Sequence, residues 1–256
     1  MNLVEAMNIK KGEVVSLVGG GGKTSLMFAL AYGLTENGKK VITTTTTRIE
    51  EPSAGQTQKL IVEADEEKML GLTGQYLKSF GHITIARERL PDDKLKGISP
   101  GLVDRLAVAS IAHCVIVEAD GAGGRPLKAP IAREPVIPAS TSLVIPVVGV
   151  EAVGCLLTEE LVFRVDSVAG LLGLAYGAVI TAKHVAILAT HPEGLTKGSP
   201  PQARIIPFIN KMDMEGALLK GRELAEEVFK FRHPQIDRVV LGQVRATIPI
   251  KEVVFN

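Results

Sequence analysis

Residues 14–25 read VVSLVGGGGKTS, an apolar run that leads into four glycines and then Lys-Thr-Ser. The apolar run predicts a β-strand, and the segment SLMFALAYGL that follows predicts a helix. Glycines allow consecutive backbone N–H groups to turn toward one anion, and the start of a helix adds unpaired N–H groups. The stretch therefore predicts a phosphate-binding loop between a strand and a helix.

Within this loop, Lys23 is placed to reach the outer phosphates and act in catalysis, and the Thr24 hydroxyl is placed to bind magnesium. The spacing is shorter than in the common phosphate loop, whose first glycine would fall at Leu17. A glycine-rich turn without a ligand is the alternative, but such a turn does not require Lys-Thr at the helix start. The candidate phosphate-binding residues are Gly19, Gly20, Gly21, Gly22, Lys23, Thr24 and Ser25.

Composition narrows the class of protein. The chain has 256 residues, 46% of them hydrophobic and 22% charged, with a net charge of +1. This balance indicates a globular protein and favours neither a nucleic-acid surface nor a polybasic membrane patch. Cys114 and Cys155 are not spaced as metal ligands, and neither a secretory signal nor a membrane-length apolar stretch is evident. We expect a cytoplasmic protein with no nucleic-acid or membrane partner.

The order of elements predicts the fold class. Strand patterns alternate with helix patterns, which is typical of an α/β protein with a mainly parallel sheet and helices on both faces, here a P-loop NTPase-like three-layer sandwich. We expect one domain, residues 1–256, with insertions at about 50–98 and 121–140. Strands are predicted at 13–19, 39–48, 113–120, 142–149, 203–210 and finally 237–244, and helices at 23–36, 99–112, 158–176 (two pieces) and 214–231. Ligands in such sheets bind at the carboxyl ends of strands.

Acidic residues end the buried strand pattern HCVIVEAD, residues 113–120. Glu118 and Asp120 lie two residues apart, so they point to the same side of the strand. We predict that both carboxylates bind magnesium, directly or through water, and that Asp120 also takes part in catalysis. The alternative is an acidic pair that only closes a buried strand at a turn.

Two further polar segments lie near the predicted loop. Thr43–Thr47 follow the second strand, and their hydroxyls would reach magnesium or the terminal phosphate, unless the threonines are present only as good strand residues. Arg125 and Lys128 either add positive charge to the phosphate region or a second substrate, or are solvated loop residues. Arg48 and Arg125 are the candidates for an arginine that stabilises the transition state.

The segment Asn210-Lys211-Met212-Asp213 follows a late strand, where Asn-Lys-x-Asp reads guanine in GTP-binding proteins. The Asp213 carboxylate would accept hydrogen bonds from two N–H groups of guanine, whereas adenine would leave that carboxylate unpaired. Lys211 would pack along the base, and Asn210 would hold the loop. The alternative is that Asp213 caps the helix that follows.

Five segments of the chain, taken in order, resemble those of the YqeC-type proteins. They are VGGGGKTS, VITTTTTR, VEADGAGGRPLKAP, HPEGLTKGSP and FINKMD. These are accessory proteins of selenium-dependent molybdenum hydroxylases. The resemblance covers nearly the whole chain. It implies a P-loop protein that binds nucleoside triphosphate and acts in maturation of a molybdenum-cofactor enzyme. By position, Gly22, Lys23 and Thr24 would bind phosphate and magnesium, Asp120 would lie at the metal, and Asn210, Lys211 and Asp213 would face the base.

We therefore expect a magnesium-dependent nucleoside-triphosphatase with GTP or ATP as its nucleotide, GTP being favoured. The short loop also resembles that of the Mur ligases, so an ATP-dependent ligase or kinase acting on a small acceptor remains an alternative. A module that binds nucleotide without hydrolysing it is a third possibility.

Overall fold

The computed structural model describes residues 1–256. The α-helices are α1 Leu3–Met7, α2 Lys23–Glu36, α3 Glu66–Tyr76, α4 Pro100–Ala109, α5 Val165–Leu172, α6 Ala182–Thr190 and α7 Ala217–Lys230, with a 3-10 helix at Val150–Ala152. The strands are β1 Glu13–Gly19, β2 Val41–Thr45, β3 Arg48–Glu50, β4 Lys59–Val62, β5 His82–Ala86, β6 Glu88–Arg89, β7 Lys94–Lys96, β8 Cys114–Glu118, β9 Leu127–Lys128, β10 Thr141–Gly149, β11 Val162–Phe163, β12 Arg204–Ile205, β13 Phe208–Asn210, β14 Arg238–Gly242 and β15 Ile250–Phe255.

One ten-stranded sheet forms the centre of the molecule, in the order β15-β14-β13-β10-β1-β8-β2-β5-β4, with β12 paired to β10. All its pairings are parallel except that of β14 with β15. Strand β1 lies between β8 and β10, so both of its edges are paired. The loop after β1 is therefore held at the middle of the sheet's carboxyl edge.

Helices cover both faces of this sheet. Alternate residues along β1 divide between the two faces: Val15 and Leu17 pack with α1 and α2, whereas Val14 and Val18 pack toward the opposite side. That side is covered by α3 and α4 over one half of the sheet and by α5, α6 and α7 over the other. Strands buried on both faces are continuously apolar, which explains the run VVSLV. The α/β class and the P-loop NTPase-like sandwich are confirmed.

Some sequence expectations are wrong in detail. Strand β14 is not the last strand, because β15 follows it and pairs antiparallel at the edge of the sheet. Within the expected insertion at about 50–98, β4 and β5 belong to the main sheet, α3 between them packs on its face, and β3, β7 and β6 form a separate small sheet. The second helical piece near 176 is absent: after α5, the chain turns with Tyr176 66% exposed.

Helix α6 had no counterpart among the expected elements. Thr181 precedes it and accepts a hydrogen bond from the His184 N–H at 3.3 Å, while the Thr181 N–H donates to His184 Nδ1 at 3.1 Å. This reciprocal cap has the geometry of a capping box, but with histidine in the place usually taken by Glu or Gln. The start of the helix is therefore hard to find from residue types alone.

Candidate functional site

A polar cavity of about 770 Å³ opens at the carboxyl ends of the central strands. It is lined by residues 21–25 after β1, 48–50 after β2, 121–125 after β8, Asn210, Lys211 and Asp213 after β13, and 243–246 after β14, together with Glu118 and Lys94. The predicted phosphate loop and the Asn-Lys-x-Asp segment thus lie in one cavity, although nearly 190 residues separate them along the chain.

Some backbone N–H groups of the phosphate loop are bonded within the protein, and others are free. The N–H groups of Gly20 and Gly21 already donate to the carbonyls of Val147 and Arg125, at 2.8 and 2.9 Å. The N–H groups of Gly22, Thr24 and Ser25 donate to no protein acceptor, and all three residues line the cavity. The anion cradle is therefore the start of α2, where unpaired amides and the helix dipole favour negative charge.

Gly19 and Gly20 lie behind the cavity wall, outside its lining. Gly19 has φ +93°, and a Cβ atom there would overlap the Val147 carbonyl oxygen. A Cβ atom on Gly20 would lie 2.6 Å from the Arg125 carbonyl oxygen. Both glycines let the loop pack against its neighbours, whereas the residues from Gly21 onward face the cavity.

Lys23 is folded back onto the loop in the structure. Its ammonium donates to the Gly19 carbonyl at 2.7 Å and lies 3.3 Å from Asp120 and 3.7 Å from Glu118. Burial alone would lower the pKa of Lys23, but the charges of Asp120 and Glu118 outweigh it and raise the pKa above its usual value. The lysine is therefore charged and lies at the base of the cavity.

Glu118 and Thr24 form the oxygen pair nearest to the cradle. The Thr24 hydroxyl donates to Glu118 Oε2 at 2.7 Å, and both residues line the cavity. Burial raises the pKa of Glu118, opposed by the nearby charge of Lys23. Hydroxyl and carboxylate oxygens suit Mg²⁺, and this ion usually takes its remaining ligands from water and phosphate.

Asp120 lies deeper than Glu118, with only 1% exposure, and does not line the cavity. Its Oδ2 accepts from the Gly19 N–H at 3.1 Å, and its Oδ1 has no hydrogen-bond partner beyond the ion pair with Lys23. In this arrangement Asp120 supports the loop and Lys23 from behind. Of the two predicted acids, Glu118 is the one that faces the space a ligand would occupy.

Asn210 joins the phosphate loop to the far side of the cavity. Its Nδ2 donates to the Gly21 carbonyl at 2.8 Å, and its Oδ1 accepts from the Val244 N–H at 3.2 Å. The side chain is 6% exposed, so these bonds are shielded from water. One amide thus fixes the phosphate loop against the segments that follow β13 and β14.

Lys211 and Asp213 follow at the rim. Lys211 forms an ion pair with Glu151, a residue that sequence reasoning did not single out. Asp213 is exposed, lines the cavity, and has no hydrogen-bond or ion-pair partner in the protein. Helix α7 begins at Ala217 with Gly216 as its N-cap, so the alternative role of Asp213 as a helix cap is wrong.

The threonine run does not reach the cavity. Thr43 bonds to His82 and Thr84 at 2.9 and 2.8 Å, and the Thr44, Thr45 and Thr46 hydroxyls donate to backbone carbonyls at 2.7 to 2.8 Å. None of Thr43–Thr47 lines the cavity. The expectation that these hydroxyls bind magnesium or phosphate is wrong, because Thr43–Thr45 are buried in the sheet, Thr46 donates to the Val136 carbonyl, and Thr47 contacts the Thr45 hydroxyl.

The remaining cationic side chains near the site either line the cavity or are buried in the protein behind it. Arg48, Arg125 and Arg245 line the cavity without a carboxylate partner, and the Arg125 guanidinium donates to the carbonyls of Gly123 and Glu159. Lys128 is fully buried outside the cavity, so it is not a solvated loop residue. Residues 243–246 were missed, since only the position of β14 beside β13 brings them to the site.

Two solved structures share a loose overall likeness with the chain. The signal recognition particle receptor FtsY from Elizabethkingia anophelis gives a TM-score of 0.41 at 14% identity, covering 98% of this chain and 66% of that one. The signal recognition particle 54 kDa protein from Aeropyrum pernix K1, solved with GDP, gives a TM-score of 0.40 at 16% identity, covering 94% of this chain and 46% of that one. This chain thus spans less than two thirds of either structure, and likeness at this level says nothing about what it binds.

Sequence comparison is more specific. The family model described as YqeC protein matches residues 15–166, which include the phosphate loop, Glu118 at the end of β8 and Asp120 just after it. "Uncharacterized protein YqeC" from Escherichia coli (strain K12) is 32% identical over 239 residues, covering 92% of this chain and 89% of the relative. With its phosphate loop and buried acids inside the matched region, the chain belongs to the YqeC family.

Proposed function

We propose that this protein is a magnesium-dependent nucleoside-triphosphatase that prefers GTP and serves as an accessory factor in maturation of a selenium-dependent molybdenum hydroxylase. Nucleotide binding is proposed because the phosphate loop and the Asn-Lys-x-Asp segment line the same cavity. The hydrogen bond from Asn210 to the Gly21 carbonyl joins these two segments. A nucleotide that spans the cavity would touch both segments.

The phosphate end is supported by the free amides at the start of α2 and by Lys23. The three unpaired N–H groups would bind phosphate oxygens, and the Lys23 ammonium would leave the Gly19 carbonyl to reach the outer phosphate. Thr24 and Glu118 would hold Mg²⁺, with Asp120 behind them. Bound there, the ion would neutralise charge on the β- and γ-phosphate oxygens.

Preference for guanine rests on Asp213. Its carboxylate has no protein partner, so it is free to accept hydrogen bonds from the N1 and N2 donors of guanine. Adenine offers no matching pair of donors, and an unpaired carboxylate against a base is unfavourable. The ion pair of Lys211 with Glu151 holds the segment that carries Asp213.

Hydrolysis by the isolated protein should be slow. The cavity lining contains no histidine that could act as a base. Of the two arginines that are candidates to stabilise the transition state, Arg125 is already bonded to the carbonyl groups of Gly123 and Glu159. Arg48, which has no protein partner, is the arginine available to stabilise charge in the transition state. Turnover would then rise when a client protein orders the site.

A kinase or ligase is the second candidate, because cationic side chains outside the phosphate loop also line the cavity. Arg48 and Arg125 line it without a carboxylate partner, and Lys94 lines it while paired with Asp92; the two arginines suit an anionic acceptor. The accessory role and the hydroxylase partner rest on the family resemblance, and the proposed cytoplasmic location rests on the sequence pattern described above. None of the helices is both long and apolar enough to cross a membrane.

Competition binding tests the nucleotide assignment. A fluorescent GTP analogue, with Mg²⁺ and then with EDTA, is titrated with GTP, ATP, XTP and GDP, and phosphate release is followed with and without a molybdenum hydroxylase. GTP should compete at least about tenfold better than ATP, a difference of about 1.4 kcal/mol. Equal competition by ATP would refute the guanine assignment, and binding without phosphate release would leave only a nucleotide-binding module.

Two variants sharpen this experiment. Lys23→Ala should abolish triphosphate binding, and full affinity would contradict the loop assignment. Asp213→Asn should shift preference from GTP toward XTP, because an amide donates where the carboxylate accepted. Glu215→Gln is the matched control, since Glu215 is an exposed carboxylate two residues away that does not line the cavity. An unchanged GTP to XTP ratio in Asp213→Asn would exclude Asp213 as the base reader.

A further inference from the structure

Lys128 is a charged side chain with no access to solvent. It lies in β9 with 0% exposure, and fully buried lysines are rare unless they are paired. Its ammonium lies 3.0 Å from Asp120 Oδ2, 2.8 Å from Glu134 Oε2 and 2.7 Å from the Gly121 carbonyl oxygen. The residue does not line the cavity, so any effect on a ligand must act through these neighbours.

Asp120 is shared between two lysines. Lys23 lies 3.3 Å from its Oδ1, and Lys128 lies 3.0 Å from its Oδ2, which also accepts from the Gly19 N–H. When Lys23 leaves to meet a phosphate, Asp120 loses one of its two cations. A buried carboxylate with no cation is strongly unfavourable, so the second lysine decides how easily the first can leave.

Glu134 and Arg164 hold Lys128 in place. Glu134 accepts from both terminal nitrogens of Arg164, at 2.6 and 2.8 Å, while it also contacts Lys128. Arg164 is the N-cap of α5 and has φ +61°. A paired arginine in this left-handed conformation anchors Glu134, which in turn keeps the Lys128 ammonium against Asp120.

We propose that Lys128 is a positioning residue for the phosphate site: it compensates the charge of Asp120, so that Lys23 is free to move from its folded-back position to a polyphosphate. The inference rests on the proposed function. It explains why the segment GRPLKAP carries a lysine that never touches the cavity. Without Lys128, Asp120 would have Lys23 as its only cation and would retain it.

The test measures affinity for the fluorescent GTP analogue, with Mg²⁺ and with EDTA, in the full-length chain. Lys128→Met should weaken binding at least about tenfold without changing the ratio of GTP to ATP affinity, because the base-reading segment is untouched. The double variant Lys128→Met/Asp120→Asn should bind at least about fivefold more tightly than Lys128→Met in EDTA, since an uncharged amide no longer retains Lys23. A structural role alone predicts that the double variant binds no better than the single one.

Three outcomes would overturn the proposal. The affinity of Lys128→Met for the GTP analogue stays within about threefold of wild type, its ratio of GTP to ATP affinity changes, or the double variant binds no more tightly than Lys128→Met. Failure of the proposed function is distinct, since the wild-type protein would then bind no triphosphate. If Lys128→Met does not fold, Glu134→Gln replaces it. That change removes the carboxylate that keeps the Lys128 ammonium against Asp120, so affinity in EDTA should fall at least about threefold, and an affinity equal to that of wild type would contradict the mechanism.

Discussion

Removing the side chain of Asn210 should uncouple the two halves of the cavity. Asn210→Ala deletes a buried 2.8 Å bond to the Gly21 carbonyl and a 3.2 Å bond from the Val244 N–H, leaving both groups without a protein partner. Each buried polar group left unsatisfied costs about 1–3 kcal/mol, and water entering from the cavity would reduce the second cost. We expect a loss of about 2–4 kcal/mol in the free energy of unfolding.

The same change should weaken nucleotide binding without altering its selectivity. The phosphate loop would no longer be held in position, so affinities for GTP and ATP should both fall by about ten- to a hundredfold. Asp213→Asn should do the opposite, changing selectivity but not stability, because Asp213 is exposed and unpaired. This contrast separates the residue that positions the site from the residue that reads the base.

Urea unfolding followed by circular dichroism, combined with competition binding, measures both effects. Asn37→Ala is the matched control, since it removes one exposed asparagine bond, 2.7 Å long, to the Gly33 carbonyl. That control should stay within about 0.5 kcal/mol of wild type. An Asn210→Ala protein with the stability of the control and wild-type affinity would refute the reasoning that this amide joins the two segments.

Three further changes are predicted from local geometry. Gly21→Ala should abolish triphosphate binding, because Gly21 has φ +76° and an added Cβ would overlap the Gly149 backbone; retained binding of the fluorescent analogue would contradict this. Gly71→Ala, in α3 with open space around it, should instead raise the free energy of unfolding by about 0.5–1 kcal/mol. Burial lowers the pKa of His82 to about 4, against about 6.5 when unfolded, so the unfolded chain binds more protons between these values. Stability should therefore fall by up to about 3 kcal/mol from pH 7 to pH 4, and urea titrations of His82→Gln across that range should show a flatter dependence.

Local features of the chain were predictable because their physics is local. The apolar run before Gly19, the four glycines and the helix pattern after Lys23 define a strand, a loop and a helix start within a dozen residues. Backbone conformation, unpaired helix amides and alternation of strands with helices all depend on near neighbours. The fold class and the location of the phosphate loop follow from them.

Which charged groups meet was decided by the order of strands. From the sequence, Glu118 and Asp120 were both predicted to bind magnesium, but only the packing of β8 against β1 brings Glu118 to the cavity and places Asp120 behind Lys23. Lys128 was predicted to add charge to the phosphate region or a second substrate, or to be solvated; it is buried outside the cavity, against Asp120. The partners of these side chains are far apart in the sequence, so residue type alone cannot reveal them.

By itself, therefore, the sequence determined that a strand, a glycine loop and a helix start follow one another in an α/β protein, with backbone amides left unpaired where the helix begins. Tertiary structure alone decided that residues 243–246 line its cavity, that Lys211 pairs with Glu151, and that Thr43–Thr47 stay outside the cavity. The physical reason is that hydrogen bonds and ion pairs act over a few ångströms in space, and the sheet order sets those distances.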